Sequence, residues 1–149
     1  MMRRVETGET HVGEVPLRQF QGEVFKDQLY LNRAAEVVLG GVDALKVSRE
    51  EPIHICSGYI LSKAREALRE RGFKVVTARI RGETQALAEG EFIRSLSRMG
   101  VGDEATIAGM RSFNALLRWV LEDLEGRERY VKTGWRAWPR LRRGEQPDE

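Results

Sequence analysis

Apolar residues recur at helical spacing from Val24 through Leu31, Ala35, Val38 and Val42 to Leu45, interrupted only by Gly40-Gly41. The pattern predicts a first helix that ends or kinks at the glycine pair. Ahead of it Val12, Val15, Leu17 and Phe20 alternate weakly, and Pro16 confines any strand there to an edge. One or two short N-terminal strands are expected. Pro52 then opens Ile53-His54-Ile55-Cys56, a compact strand over 53–56, and Ser57-Gly58 combines a candidate N-cap with a tight turn. The helix that follows carries Ile60, Leu61, Ala64, Ala67 and Leu68 on one face and closes at Gly72-Phe73. Residues 73–80 are β-branched enough to form the next strand. Strand, helix and strand in succession predict two parallel neighbours joined by a right-handed crossover.

Gly82-Glu83-Thr84 opens a third helix, with Leu87, Phe92, Ile93 and Leu96, that should end at Gly100. Asp103 caps a fourth, whose Ile107, Met110, Phe113, Leu117, Val120, Leu121 and Leu124 form one seam down to Gly126. Trp119 falls opposite that seam, beside Arg111 and Arg118. The expected fold class is α/β: a small mixed sheet with a central parallel β-α-β unit, packed by about four helices. It occupies a single domain over residues 1–126, with a basic aromatic C-terminal extension and tail over 127–149. Two strands make a poor core and the seam is long, so a homodimer is a further expectation.

Composition narrows the class. At 149 residues, 32% charged and 41% hydrophobic, the chain suits one globular core under a heavily charged surface. No apolar run approaches the roughly 18 residues that cross a bilayer, and MMRRVETGETHVGE lacks the apolar stretch of a signal peptide. A cytoplasmic location without membrane attachment is expected. Cys56 is the single cysteine, so no internal disulfide forms, and no Cys/His grouping has zinc spacing. Neither a metal nor a cofactor is expected. Of 25 basic residues only five are Lys, at 26, 46, 63, 74 and 132, and there are two Asn. That bias fits a thermophile or a GC-rich genome, and the planar fork of Arg also suits phosphate.

Two regions carry candidate chemistry. Ligands of open parallel sheets bind beyond the carboxyl ends of the strands, where this chain places Ser57-Gly58 and Gly82-Glu83-Thr84 at helix starts. Arg79 and Arg81 would point to one side of the second strand. Ser57, Gly58, Arg79, Arg81, Gly82 and Thr84 are therefore a candidate anion site, for a small enzyme or a ligand-binding domain acting on a phosphate or carboxylate. His54 and Cys56 share a strand face and could form an activated nucleophile. A strand covered on both faces would make that cysteine only a small apolar residue, and no Asn or Asp is evident to orient the histidine. Catalytic residues stay unassigned.

The second region is RERYVKTGWRAWPRLRR. Arg127, Arg129, Lys132, Arg136, Arg140, Arg142 and Arg143 face one acid, Glu128, a net +6 in a chain of net +2. Tyr130, Trp135 and Trp138 are interleaved with them. Such mixtures bind RNA or single strands by pairing cations with phosphate while rings stack on bases. Nucleic-acid binding through these seven cations with Trp135 and Trp138 is the leading expectation. The alternative is that both tryptophans fold back onto Trp119 or an apolar edge of the sheet.

Overall fold

The computed structural model describes residues 1–145. It begins with β1 (Met2–Arg3) and β2 (Thr10–His11), an antiparallel pair forming a sheet of its own. The N-terminal strands therefore do not extend the central sheet. They pack instead on α1 (Leu29–Ala44), which runs through both glycines without a break. Gly41 is buried, and a Cβ there would lie 3.1 Å from His11 Cδ2 and 3.3 Å from Met2 Sδ. The residue that looked like a helix breaker is what lets the hairpin approach the helix. At the other end α1 starts later than Val24. Residues Gly22–Asp27 form a 3-10 turn and Gln28 is left-handed, at φ 53°.

The parallel pair is present: β3 (Pro52–Ile55) and β4 (Lys74–Thr77), in register Ile53 to Val75 and Ile55 to Thr77, with α2 (Ser62–Glu70) between them in sequence. Gly72 at φ +81° ends the crossover, and Phe73 N donates to Leu68 O at 3.0 Å, closing the helix as its glycine suggested. Ile53, Ile55, Ala64, Leu68 and Val42 make one buried cluster, against which Phe73 and Val75 pack. The sheet is covered on one face only: Pro52, His54, Lys74 and Val76 are exposed. The second strand stops at Thr77 rather than Ile80, because its partner ends at Ile55. Ala78 N to Ile55 O, 2.9 Å, is the last bond between them.

The chain divides into two compact units, Met1–Val15 with Gln28–Gly90, and Pro16–Asp27 with Glu91–Glu149, the latter described to Glu145. This differs from one domain over 1–126 with an appended extension. In sequence the boundary falls inside α3 (Glu83–Arg98).

In the second unit the expected fourth helix is three helices: α4 (Glu104–Gly109), α5 (Phe113–Glu122) and α6 (Leu124–Arg127). Asp103 caps the first as expected, accepting from Thr106 N at 2.9 Å. The breaks have the same cause. Ser112 accepts from Ala115 N and Asp123 from Gly126 N, both at 3.1 Å, so each is a fresh N-cap inside the apolar period. The seam is consequently discontinuous: Ile107 and Val120 are buried, whereas Phe113 is 48% exposed.

The tail belongs to this unit. A 3-10 turn at Glu128–Tyr130 leads to α7 (Trp138–Leu141), and Trp138 and Leu141 join Val120 in a buried cluster with Leu117, Trp119, Leu124 and Val131 around it. Residues 20–22 are stitched to it. Gln21 Nε2 donates to the carbonyls of Arg129 and Val131, both at 2.9 Å, Gly22 N to Thr133 Oγ1 at 3.0 Å, and Gly134 N to Phe20 O at 3.0 Å. A Cβ at Gly134 would overlap Phe25 and lie 2.9 Å from the Gly22 carbonyl oxygen, so only glycine permits this approach.

Candidate nucleic-acid interface

The nine residues expected to contact nucleic acid separate into three groups. Trp138 is 5% exposed, its indole Nε1 donating to Glu128 Oε1 at 2.9 Å. It is core, and its faces are not open to stacking. Proline at the second position of α7 and the small Ala137 before it let the indole turn inward with Leu141. Trp135 is the opposite case, 44% exposed, with its ring edge-on to Phe113 at 6.0 Å and an interplanar angle of 89°. Phe113 was hidden from sequence reasoning by its place in the apolar seam. The signal that could have found it is Ser112, whose capping role starts a new helix with Phe113 at its outer end.

The cations form the other two groups. Arg127 is held at 4.4 Å over the Trp119 ring and donates to Trp119 O and, at 3.4 Å, to Glu122. Arg129 bonds the Tyr130 hydroxyl at 2.7 Å and covers its ring, and Lys132 Nζ stands 4.5 Å from the Phe20 ring centroid. Desolvation against that surface lowers the Lys132 pKa. These three are committed to covering aromatic rings. Trp119, which sequence placed opposite the seam, is thus covered by Arg127 and Tyr130.

Arg136, Arg140, Arg142 and Arg143 are exposed. Arg136 makes no hydrogen bond or ion pair with the described residues. Arg142 lies 3.5 Å from Glu128, and Arg143 and Arg140 grip Glu145 from two sides at 2.7 and 3.3 Å. The hydrogen bonds from Arg143 and then Arg140 hold the Glu145 carboxyl below its ordinary range. A carboxylate between two guanidiniums occupies the kind of position a phosphate would take.

In the first unit, the turns beyond β3 and β4 leave the same end of the sheet, as the parallel register requires. Ser57, Gly58, Arg79, Arg81 and Gly82 are exposed and Thr84 is half-buried. Ser57 does not cap the helix, because a 3-10 turn at Tyr59–Leu61 intervenes and Leu61 stands at the N-cap position without a side-chain bond. Arg65, unnoticed in the sequence, reaches back to Cys56 O at 2.6 Å and Gly58 O at 3.1 Å and braces the turn. Gly82 takes φ +67° at the start of α3, where Glu83 pairs with Arg3 at 2.5 Å. Arg79 and Arg81 lie in the loop after β4, and neither has an ion pair or hydrogen bond with the described residues. His54 is exposed and Cys56 half-buried, with no hydrogen bond between them.

No family model, curated protein or solved structure matches the chain. Among the described residues no group of three or more His, Cys, Asp or Glu could hold a metal ion, and no helix is long and apolar enough to cross a membrane.

Proposed function

We propose that the protein binds single-stranded nucleic acid through the second unit, with Trp135 and Phe113 as the stacking surface and Arg136, Arg140, Arg142 and Arg143 as phosphate contacts. The observation that carries this reading is the exposed edge-to-face pair, followed in sequence by Arg136, which has no ion pair or hydrogen bond with the described residues. Two large rings, each about half exposed, suit unpaired bases, which offer π-faces that a duplex conceals. The ion pairs to Glu145 are no obstacle, since exposed pairs are worth only about 0–1 kcal/mol and exchange for phosphate.

Oligonucleotide binding against salt tests it. Each lost phosphate contact should flatten the slope of log K against log salt by about 0.7 on single strands. Arg136→Ala and the pair Arg140→Ala, Arg143→Ala should flatten it, whereas Trp135→Ala should cost roughly 1–3 kcal/mol of affinity at unchanged slope. Binding indifferent to all of these substitutions would end the proposal. Deleting residues 127–149 is no test, because it would remove Trp138 and Leu141 from the core.

A second reading, an anion site for a phosphate or carboxylate ligand in the first unit, is favoured by Arg79 and Arg81, exposed in the loop after β4 and without an ion pair among the described residues. It predicts phosphate or carboxylate binding that Arg79→Ala with Arg81→Ala removes and the second-unit variants leave intact.

A further inference from the structure

The second unit contains a cleft of about 540 Å³, within the roughly 300–1,000 Å³ of small-ligand sites. Its apolar wall is Leu124 and Pro139, and its rim carries Arg142 and Arg143. Between them are two polar groups whose bonding capacity is half used. Glu128 Oε1 accepts from the Trp138 indole and lies 3.5 Å from Arg142 Nε, which orients the carboxylate, while Oε2 accepts no hydrogen bond from the described residues. Thr133 Oγ1 accepts from Gly22 N and so retains its own proton to donate. An apolar wall, one fixed acceptor, one donor and two cations at the mouth match the parts of a nucleotide.

We propose that this cleft receives one base of the bound strand and selects bases carrying an exocyclic amino group, with Glu128 Oε2 as the acceptor and Arg142 and Arg143 on the adjoining phosphate. The inference rests on the nucleic-acid reading. Cytosine and uracil discriminate it best, because they differ at C4 in an amino group against a carbonyl. A carboxylate accepts from the first and repels the second.

The experiment is calorimetric titration of the full chain with CMP and UMP, beside C- and U-rich oligonucleotides. The wild type should prefer CMP by about tenfold, the effect of a hydrogen bond to a charged group. Glu128→Gln is the decisive variant. Trp138 can only donate, so the glutamine oxygen must face the indole and its NH₂ must take the place of Oε2, and the preference should reverse toward UMP. Arg143→Ala, which leaves Arg142 and Trp138 in place around Glu128, should weaken both nucleotides equally and keep the preference, and this variant serves if Glu128→Gln does not fold. Equal binding of CMP and UMP by the wild type, or an unchanged preference in a folded Glu128→Gln protein, overturns the proposal. Oligonucleotide binding without mononucleotide binding overturns the cleft alone. CMP preference without oligonucleotide binding overturns the strand reading and leaves the cleft as a mononucleotide site.

Discussion

The two units hold their cores by different means. In the first, Val42, Ile53, Ile55, Ala64 and Leu68 come from consecutive regular elements and meet as aliphatic side chains, and a cation covers a ring only at the edge of the cluster, where Arg49 lies 5.2 Å from the Phe73 ring centroid. In the second, the helices are short and the interior depends on side chains that are apolar on one side and polar on the other. Trp138 is tied to Glu128, Trp119 is roofed by Arg127, and Phe20 by Lys132. A core built this way brings cations to the surface as part of its own packing, since each guanidinium that covers a ring leaves its charge facing water. Part of the basic surface in the second unit is therefore structural. Trp135 and the arginines from Arg136 on are not used in that way.

The largest test of this contrast is Trp138→Ala, expected to cost about 3–5 kcal/mol because it removes a buried indole and leaves Glu128 without its donor. Thermal or urea unfolding should show it, with Trp135→Ala nearly neutral in the same measurement. Similar costs for both would mean that Trp135 is core as well. Next is Leu68→Ala, about 2–5 kcal/mol in the first unit. All three tryptophans lie in the second unit, so indole fluorescence should keep its midpoint while far-ultraviolet dichroism loses an early component. Coincident shifts of both signals would make the chain one cooperative body and dissolve the comparison.

The smallest effect is acid sensitivity. In the second unit the carboxyls of Glu91, bonded to Arg94 and then Arg98, of Asp103, bonded to the Thr106 hydroxyl and then its N–H, and of Glu145 all titrate below their ordinary range. In the first unit Glu51 does so through Ser48 N–H, assisted by Arg4. A depressed folded value contributes stability that is complete above the unfolded carboxylate range and is lost as pH falls through the folded value. Lys132 works at the alkaline end, adding stability as pH rises through its lowered value toward the ordinary lysine range. Melting followed by fluorescence should fall more on acidification than melting of the first unit. The reverse order would show that the exposed pairs in the second unit contribute nothing.

Where apolar spacing alone set the structure, the sequence was readable: the parallel pair, its crossover helix and the Gly72 cap follow from local pattern. It was not readable where one local signal had two meanings. Gly40-Gly41 looks the same whether it breaks a helix or admits a hairpin, and what decides is Met2 and His11, 39 and 30 residues before Gly41. Ser112 and Asp123 are ordinary polar residues until they cap, so an unbroken period concealed three helices. The interface divided likewise. Trp135 and Trp138 are alike in type, and what separates them is the packing of Trp138 with Val120 and Leu141 and its bond to Glu128, ten residues earlier.

The bonds from Gln21 and Gly22 to Arg129, Val131 and Thr133 join residues 108 to 111 positions apart. During synthesis the first partner emerges more than a hundred residues before its acceptors, with residues 28–90 of the other unit in between. Closing so long a loop is entropically slow and is rewarded only when both ends are present. The order of assembly on the ribosome follows: residues 28–90 can complete their β-α-β crossover while the chain is still growing, whereas residues 16–27 lack these long-range partners until the turn at 128–134 has been made.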